Sequence, residues 1–301
     1  ILIEHGFDDY CMWTGGESDN PPSDERYWNP YIHTRDGSKT YEGKFGTDVF
    51  VDFLIAFMKK NAADPMMLYF PMALTHTPFT STPAEPDANE TLAQHKAMVR
   101  YTDAAIGRIV DALDELGLRE KTIIFFCTDN GTVGRIDGTL NGRRVKGGKA
   151  SLKAAGCNTP FIVNGPGIVP SGVVTDALTD FTDMLPTFAE LAGADSPPNH
   201  PVDGRSIARL LKGETNDSPR EWIWARGFGK GTQNGDGRVV PVEAYADRVI
   251  RDKRFKLWVL DGEPRRLYDL ANDPGEETNL IEHPNDDARA ALARLKAVIA
   301  E

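Results

Sequence analysis

The 301-residue chain has no run of about 18 consecutive apolar residues, which excludes a helix able to span a bilayer. Positive charge is short: 34 Lys and Arg stand against 45 Asp and Glu, a formal charge of -11, which argues against a nucleic-acid or anionic-membrane partner. Cysteine is scarce. Cys11, Cys127 and Cys157 lie too far apart for a compact metal knuckle, and three thiols give no disulfide framework. Buried thiols are therefore expected at Cys127 and Cys157. Ile1 opens without a methionine or a signal-like segment, so the sequence itself names no compartment. No internal repeat is present.

What remains is ordinary globular material, 40% hydrophobic and 26% charged, enough for one large domain or one large and one small. The stretch Lys121-Thr-Ile-Ile-Phe-Phe-Cys-Thr-Asp-Asn-Gly131 organises it. Ile123 to Cys127 is a short apolar run of β-branched and aromatic residues, suited to a strand covered on both faces by helices. Asp129 and Asn130 follow it, where α/β sheets place their ligands, and Gly131 frees the backbone to turn. An Asx-type turn that merely closes the strand is the alternative.

Before this strand, Ile1 to Lys44 lacks periodicity and reads as ordered loop. Its Tyr27, Trp28, Tyr31, His33 and Arg35 either line a pocket for an anionic or ring-bearing substrate or pack on their own domain. Thr47 or Asp48 caps a helix to about Lys60, with Val49, Phe50, Phe53, Leu54 and Phe57 at helical spacing. Met66 to Leu74 reads as a strand ending in Thr75-His76-Thr77-Pro78-Phe79, where Pro78 stiffens the connection that carries His76. Leu92 to Leu116 is the longest helix, its stripe running through Met98, Val99, Ile106, Ile109, Val110, Leu113 and Leu116, and Gly117 stops it. Strand, helix and strand with short connections is the pattern of an α/β sheet.

After Gly131 an acidic chain turns basic in Arg135 and Asn141-Gly-Arg-Arg-Val-Lys-Gly-Gly-Lys149, either an oxyanion-binding loop or a solvated one. Pro160 to Val163 is another strand, and Asp183 to Ala192 a helix stopped by Gly193. Composition shifts between Pro197 and Pro219, giving a division into residues 1–220 and a smaller unit 221–301. The smaller unit carries short strands at Trp222–Ala225, Tyr245–Arg251, Phe255–Val259 and Arg266–Leu270, a small antiparallel sheet. Gly227 to Gly237 is a loop with no helix behind it, so it is not a nucleotide fingerprint. Asp286 to Ala300 closes the chain as a helix docking Leu292, Leu295 and Val298.

In this order, His76-Thr-Pro-Phe79, the long helix, Thr128-Asp-Asn-Gly131 and Gly148-Lys149 ahead of the turn to Pro160 resemble the sulfatase family. So do His5-Gly-Phe-Asp-Asp9, Asp183-Met-Leu-Pro-Thr187, Asp203-Gly-Arg-Ser206, Arg248 to Lys256, and Leu267-Tyr-Asp-Leu270 with Asp273-Pro274 and Glu277-Thr-Asn-Leu280. The resemblance spans nearly the whole chain. It implies an alkaline-phosphatase-like α/β fold, a mixed sheet sandwiched by helices with a small C-terminal antiparallel sheet plus helix. It also implies a sulfuric ester hydrolase acting on a sulfated small molecule or carbohydrate, in the periplasm or outside the cell. By position, His76 resembles the acid that protonates the departing alcohol, and Lys149 the lysine that holds the sulfate. Asp129 and Asn130 resemble two of four metal ligands, usually of Ca2+, with Mg2+ an alternative. His33 and Arg35 stay as further substrate-binding candidates. His76, Asp129, Asn130 and Lys149 are expected to share one cleft.

Two departures follow. Where the family commonly has Glu-Gly-Gly-x-Arg, this chain has Ala154-Ala-Gly-Cys-Asn158. The Cys-x-Pro-Ser-Arg motif, whose cysteine becomes the formylglycine nucleophile, has no counterpart, because Met, Thr and Asn follow the three cysteines. Nor are there two acidic metal ligands after a first strand; Asp8 and Asp9 belong to a later element. The chain therefore reads as about the last two thirds of a sulfatase, inactive alone and prone to self-association through uncovered sheet edge. A phosphodiester or phosphonate ester hydrolase of the same superfamily, or a non-catalytic binding surface, are the alternatives.

Overall fold

The computed structural model describes residues 2–195, 201–227, 232–236, 239, 240 and 247–300. The loop expected over Gly227 to Gly237 and the strand expected from Tyr245 therefore lie partly outside the described residues. The chain forms two compact units, residues 1–122 and 123–301.

In the first unit the expected loop over Ile1 to Lys44 is corrected. β1 (Cys11–Trp13), β2 (Tyr31–Thr34) and β3 (Gly37–Thr40) make an antiparallel sheet, with Arg35-Asp36 as the two-residue connection between the last two. These strands are three or four residues long, too short for alternation to show in the sequence, and only Ile32 is fully buried among their apolar residues. α1 (Gly46–Lys60) is entered from Phe45 with no side-chain cap, so Thr47 and Asp48 are not caps. Backbone crowding sets the start: a Cβ on Gly46 would lie 2.0 Å from the Arg26 carbonyl oxygen. Asp48, already inside the helix, instead accepts from Tyr101 Oη (2.9 Å) and Arg108 Nη1 (3.0 Å). Those two donors belong to α2 (Thr91–Glu115), so the helices are pinned to each other by a carboxylate as well as by apolar packing. α2 buries Ala97, Met98, Ala105, Ala112 and Leu113, whereas Val99, expected in the apolar stripe, is exposed.

The strand expected over Met66 to Leu74 is absent. The Met72 N–H donates to the Phe70 carbonyl (2.9 Å), a local turn inside the segment, and among the described residues no neighbouring strand pairs with it to supply the ladder. Phe70 packs toward Phe50, while Met67 and Tyr69 stand exposed.

The second unit opens with β4 (Ile124–Cys127), as the apolar run predicts. After it come β5 (Asp137–Leu140), β6 (Arg143–Lys146), the one-turn helix α3 (Ala154–Cys157) and β7 (Phe161–Asn164). β4 pairs antiparallel with β7, and Phe125 packs edge-on against Phe188 of α4 (Met184–Ala192), ring centroids 4.9 Å apart. The β4 side chains are half-buried, and Cys127 and Cys157 are exposed, which corrects the expectation of two buried thiols. Asp183 is fully buried at the entry to α4. It accepts from the backbone N–H groups of Asp180 and Arg205 and from Arg220 Nε, which makes the Asp183 motif a structural staple.

α5 (Ala208–Leu211) leads into the C-terminal sheet of β8 (Ile223–Arg226), β11 (Arg248–Arg251), β12 (Phe255–Leu260) and β13 (Glu263–Asp269). A two-residue ladder, β9 (Thr232–Gln233) with β10 (Val239–Val240), stands between β8 and β11 in the chain. The main sheet is antiparallel in the order β13-β12-β11-β8. β12 is central and buried on both faces. Phe255, Leu257 and Val259 pack on α6 (Asp286–Ala300) through Ala288, Ala291 and Leu295, while Trp258 faces the other way onto Val249 and Tyr268. The helix over Asp286 to Ala300 and the small antiparallel sheet agree with the sequence reading.

Candidate functional site

His76 belongs to the first unit, where Arg26 and Tyr27 hold it. The Tyr27 hydroxyl donates to the carbonyls of Ala73 (2.9 Å) and His76 (2.5 Å), fixing the turn that carries the imidazole. Burial pushes the Tyr27 phenol up, against the lowering pull of Arg26, so it stays a protonated donor. The Arg26 guanidinium lies over the rings of Trp13 (4.8 Å) and Tyr27 (5.3 Å) and donates to the Thr77 carbonyl. His76 Nδ1 sits 3.0 Å from Arg26 Nη2 and 2.6 Å from the Thr77 oxygen. One ring nitrogen is therefore engaged, and among the described residues Nε2 makes no hydrogen bond. In the imidazolium form Nδ1–H donates to Thr77 and the Nε2 proton is left for a ligand. Cis peptides at Leu74–Thr75 and Thr77–Pro78 flank this histidine.

His33 and Arg35 are engaged elsewhere in the same unit. His33 Nδ1 lies 2.9 Å from Ser38 Oγ and Nε2 3.3 Å from Tyr10 Oη, so both ring nitrogens have partners. Arg35 Nη1 donates to the Asp8 carbonyl at 2.6 Å.

Asp129, Asn130 and Lys149 belong to the second unit, brought together by backbone packing that only glycine permits. Gly131 N–H donates to the Gly156 carbonyl (3.0 Å), and Lys149 N–H donates to the Thr132 carbonyl (2.9 Å). A Cβ on Gly131 would fall 1.8 Å from the Ala155 oxygen, one on Gly147 2.2 Å from the Val133 oxygen, and one on Gly156 2.2 Å from the Ser151 oxygen. Gly131 is thus required for close approach; its φ is not in the left-handed region, so it is not the turn-freeing glycine the sequence suggests. The result is a knot of two loops and α3 in which the Asp129-Asn130 bend and Lys149 are neighbours. Asp129 is exposed and Asn130 and Lys149 half-buried, and among the described residues the Lys149 ammonium has no hydrogen bond or ion pair.

The C-terminal segment braces this knot. Glu276, 4% exposed, accepts from the Ala154 N–H (2.7 Å) and Lys256 Nζ (2.8 Å) through one oxygen and from Trp258 Nε1 (2.8 Å) through the other. Lys256 also donates to the Leu152 carbonyl. Burial pushes the Lys256 ammonium below the usual lysine range, and Glu276 holds it up against that pull. Sequence reading missed Arg26, Lys256 and Glu276. For Lys256 the signal was a single charge inside the apolar run from Phe255 to Leu260, whereas Glu276 lies in a polar Asp-Pro-Gly-Glu-Glu stretch that carried none.

The three thiols are unsuited to nucleophilic attack. Burial, then the charge of Asp9, pushes Cys11 up to about 12. Cys127 and Cys157, although solvent-exposed, are partly enclosed by neighbouring atoms, and this partial desolvation raises both thiols, helped by Asp129 at Cys127 and opposed by Lys256 at Cys157. Asp129 and Asn130 are oxygen donors of the kind a hard cation takes, but calcium binds about 6 to 8 oxygens. Among the described residues no group of three or more His, Cys, Asp or Glu side chains could hold a metal. The described residues therefore do not fit a closed calcium site. No helix among the described residues is long and apolar enough to cross a membrane.

Comparison with known proteins locates the chain. A family profile described as Sulfatase matches residues 3–194, and one described as N-sulphoglucosamine sulphohydrolase, C-terminal, matches residues 149–300. A Sulfatase from Formosa agariphila is 30% identical over 266 residues, covering 79% of this chain and 46% of that protein. The Steryl-sulfatase of Mus musculus is 32% identical over 264 residues, covering 80% of this chain and 42% of that protein. The chain thus spans about half the length of these curated relatives. The solved structure of Ps i-CgsB in complex with k-i-k-neocarrahexaose superposes with a TM-score of 0.74 at 21% identity, over 99% of this chain and 67% of that one. Another, in complex with its substrate D-glucosamine-2-N,6-O-disulfate, gives 0.69 at 17% identity over 97% of this chain and 76% of that one. At these identities the structures establish a shared alkaline-phosphatase-like fold.

Proposed function

Because the chain belongs to the sulfatase family, we propose that it forms the greater part of the substrate-facing machinery of a sulfuric ester hydrolase whose substrate is a sulfated sugar. The observation that carries this reading is the glycine-packed knot, which ties a half-buried lysine, its ammonium unpartnered among the described residues, to a bend bearing two oxygen donors. A sulfate ester presents anionic oxygens, and a cation held by its own backbone meets them at little reorganisation cost. Lys149 takes that role. His76, with Nδ1 engaged and Nε2 open, is the acid that neutralises the departing alcohol oxygen. The sugar is inferred from relatives solved with carbohydrate ligands.

Asp129 and Asn130 would supply two ligands of a hard cation, which would stabilise charge on the sulfate, and the donor set among the described residues is incomplete. The nucleophile is likewise not among Cys11, Cys127 and Cys157, whose thiols are raised. This polypeptide alone is therefore expected to turn over no sulfate ester, since general acid help contributes only about 10² to 10⁴-fold. The test is an assay with an activated aryl sulfate, with and without calcium, on the chain alone and again with a relative's formylglycine-bearing segment supplied. Turnover only in the second case, abolished by Lys149→Ala and His76→Ala, is the expected result. Metal-dependent turnover by the chain alone that is lost in His76→Ala overturns the claim that its nucleophile is missing.

A further inference from the structure

We propose that the β5–β6 hairpin is a polyanion-binding arm that takes a further sulfate group of a multiply sulfated glycan, beside the ester held by Lys149. This rests on Lys149 being the sulfate-holding lysine. The motivating feature is a local inversion of charge. Between residues 135 and 153 stand six cations, Arg135, Arg143, Arg144, Lys146, Lys149 and Lys153, against the single carboxylate of Asp137, in a chain of formal charge -11.

Only part of this charge is answered. Arg144 pairs with Asp137 across the hairpin. Arg143, Lys146 and Lys153 are exposed, and among the described residues none makes a hydrogen bond or ion pair. Like charges gathered this way repel one another and weaken the fold that carries them, so their benefit lies in a ligand that neutralises them.

The arm is also built stiffly. Asn141 and Gly142 both have positive φ (51° and 76°), the type I′ turn whose twist matches paired strands, and the four-residue strands are in full register. At its base, Ile136 is buried, its N–H donates to the Val133 carbonyl (3.0 Å), and Gly147 N–H returns to the Ile136 carbonyl (2.9 Å). Lys146 therefore stands three residues before Lys149 at a fixed position, no more than about 11 Å along the chain. Side chains of that length, on adjoining rigid backbone, meet two anionic groups carried by one or two neighbouring sugars. No aromatic residue occurs between 135 and 153, so the arm has no platform for stacking bases, and a nucleic acid is the poorer occupant.

The test is titration of the whole chain with three probes: a heparin hexasaccharide, glucosamine 6-sulfate, and duplex DNA of comparable charge. Arg143→Gln/Lys146→Gln is compared with Lys59→Gln/Lys60→Gln, which removes the same charge from the exposed end of α1. The hairpin variant is expected to bind the hexasaccharide about tenfold more weakly, with a salt dependence shallower by nearly two ions, while its affinity for glucosamine 6-sulfate is unchanged. The α1 variant is expected to match the parent. If the hairpin pair unfolds, Lys146→Gln alone takes its place, with a correspondingly smaller loss. Equal losses from both pairs, no loss from the hairpin pair, no binding of the hexasaccharide by the parent, or equally tight binding of DNA through the same residues each overturns the proposal. The sulfate-lysine reading is read separately, through loss of glucosamine 6-sulfate binding in Lys149→Ala.

Discussion

The C-terminal sheet and the knot around Lys149 belong to the same unit and treat charge in opposite ways. In and around the sheet, four cations are answered by carboxylates: Lys256 by Glu276, Arg254 by Asp269 and Asp287, Lys253 by Asp176 and Asp217, Arg294 by Asp252. In the knot and its hairpin, the backbone is tightly fixed by glycine contacts while Arg143, Lys146, Lys149 and Lys153 have no partner among the described residues. The difference teaches where to look for chemistry in this chain. A buried, satisfied ion pair holds one element to another, whereas a rigid backbone that presents unanswered charge is arranged for something outside the protein.

The comparison breaks hardest at Glu276. Replacing it with Ala strands the buried Lys256 ammonium and removes the acceptors of Trp258 Nε1 and the Ala154 N–H, a loss of about 3–5 kcal/mol by analogy with other broken buried pairs. Denaturant unfolding of Glu276→Ala against the parent measures it. A shift below about 1 kcal/mol would mean that water reaches Lys256 and that the pair is not buried in solution. Next in size is Gly147→Ala, whose new methyl would sit on the Val133 carbonyl and cost at least about 1–3 kcal/mol while disturbing Lys149 two residues on. An unchanged midpoint for Gly147→Ala would show that the two loops are not in contact.

A smaller effect is expected at Asp269. Hydrogen bonds from Arg254 hold its carboxyl below the ordinary value of 3.8. A carboxyl lowered in the folded state contributes stability that is fully present above its unfolded pKa and is lost as the pH falls through the folded one. Asp269→Asn should therefore flatten the acid limb of stability below about pH 4 and lower the plateau at neutral pH. A variant whose acid limb overlays the parent's would remove Asp269 from the account.

How much of this was legible follows the same physical division. The C-terminal strands and α6 are patterned by burial, so periodicity found them; β12 is buried on both faces, and its lone Lys256 was the visible anomaly. β4 was legible for the same reason. The strands of residues 11–40 are too short to carry a period, and Met66 to Leu74 has the composition of a strand but no neighbour to pair with among the described residues. The β5–β6 hairpin was readable in principle from Asn141-Gly142, a pair suited to positive φ at both positions, but its polar strands hid it inside a basic loop. Of the candidate site, His76, Asp129, Asn130 and Lys149 could be named from motif order. Arg26 could not, because its contact with His76 spans 50 residues and only folding brings the two together.

The smallest effect sharpens the comparison most. Arg143→Gln/Lys146→Gln should leave the melting temperature within about 1–2 °C of the parent, because exposed side chains without partners contribute little to stability. Its sign should be upward, since removing two cations from a crowded basic hairpin relieves repulsion, and the gain should shrink as salt is added because screening already relieves it. The strands stay paired through backbone bonds and the Asn141-Gly142 turn, neither of which the exchange touches. Thermal melts at low and at high salt measure both the size and its salt dependence. A destabilisation of several degrees at low salt would mean that Arg143 and Lys146 are answered by carboxylates of this same chain, and the contrast between a satisfied sheet and an outward-facing knot would then disappear.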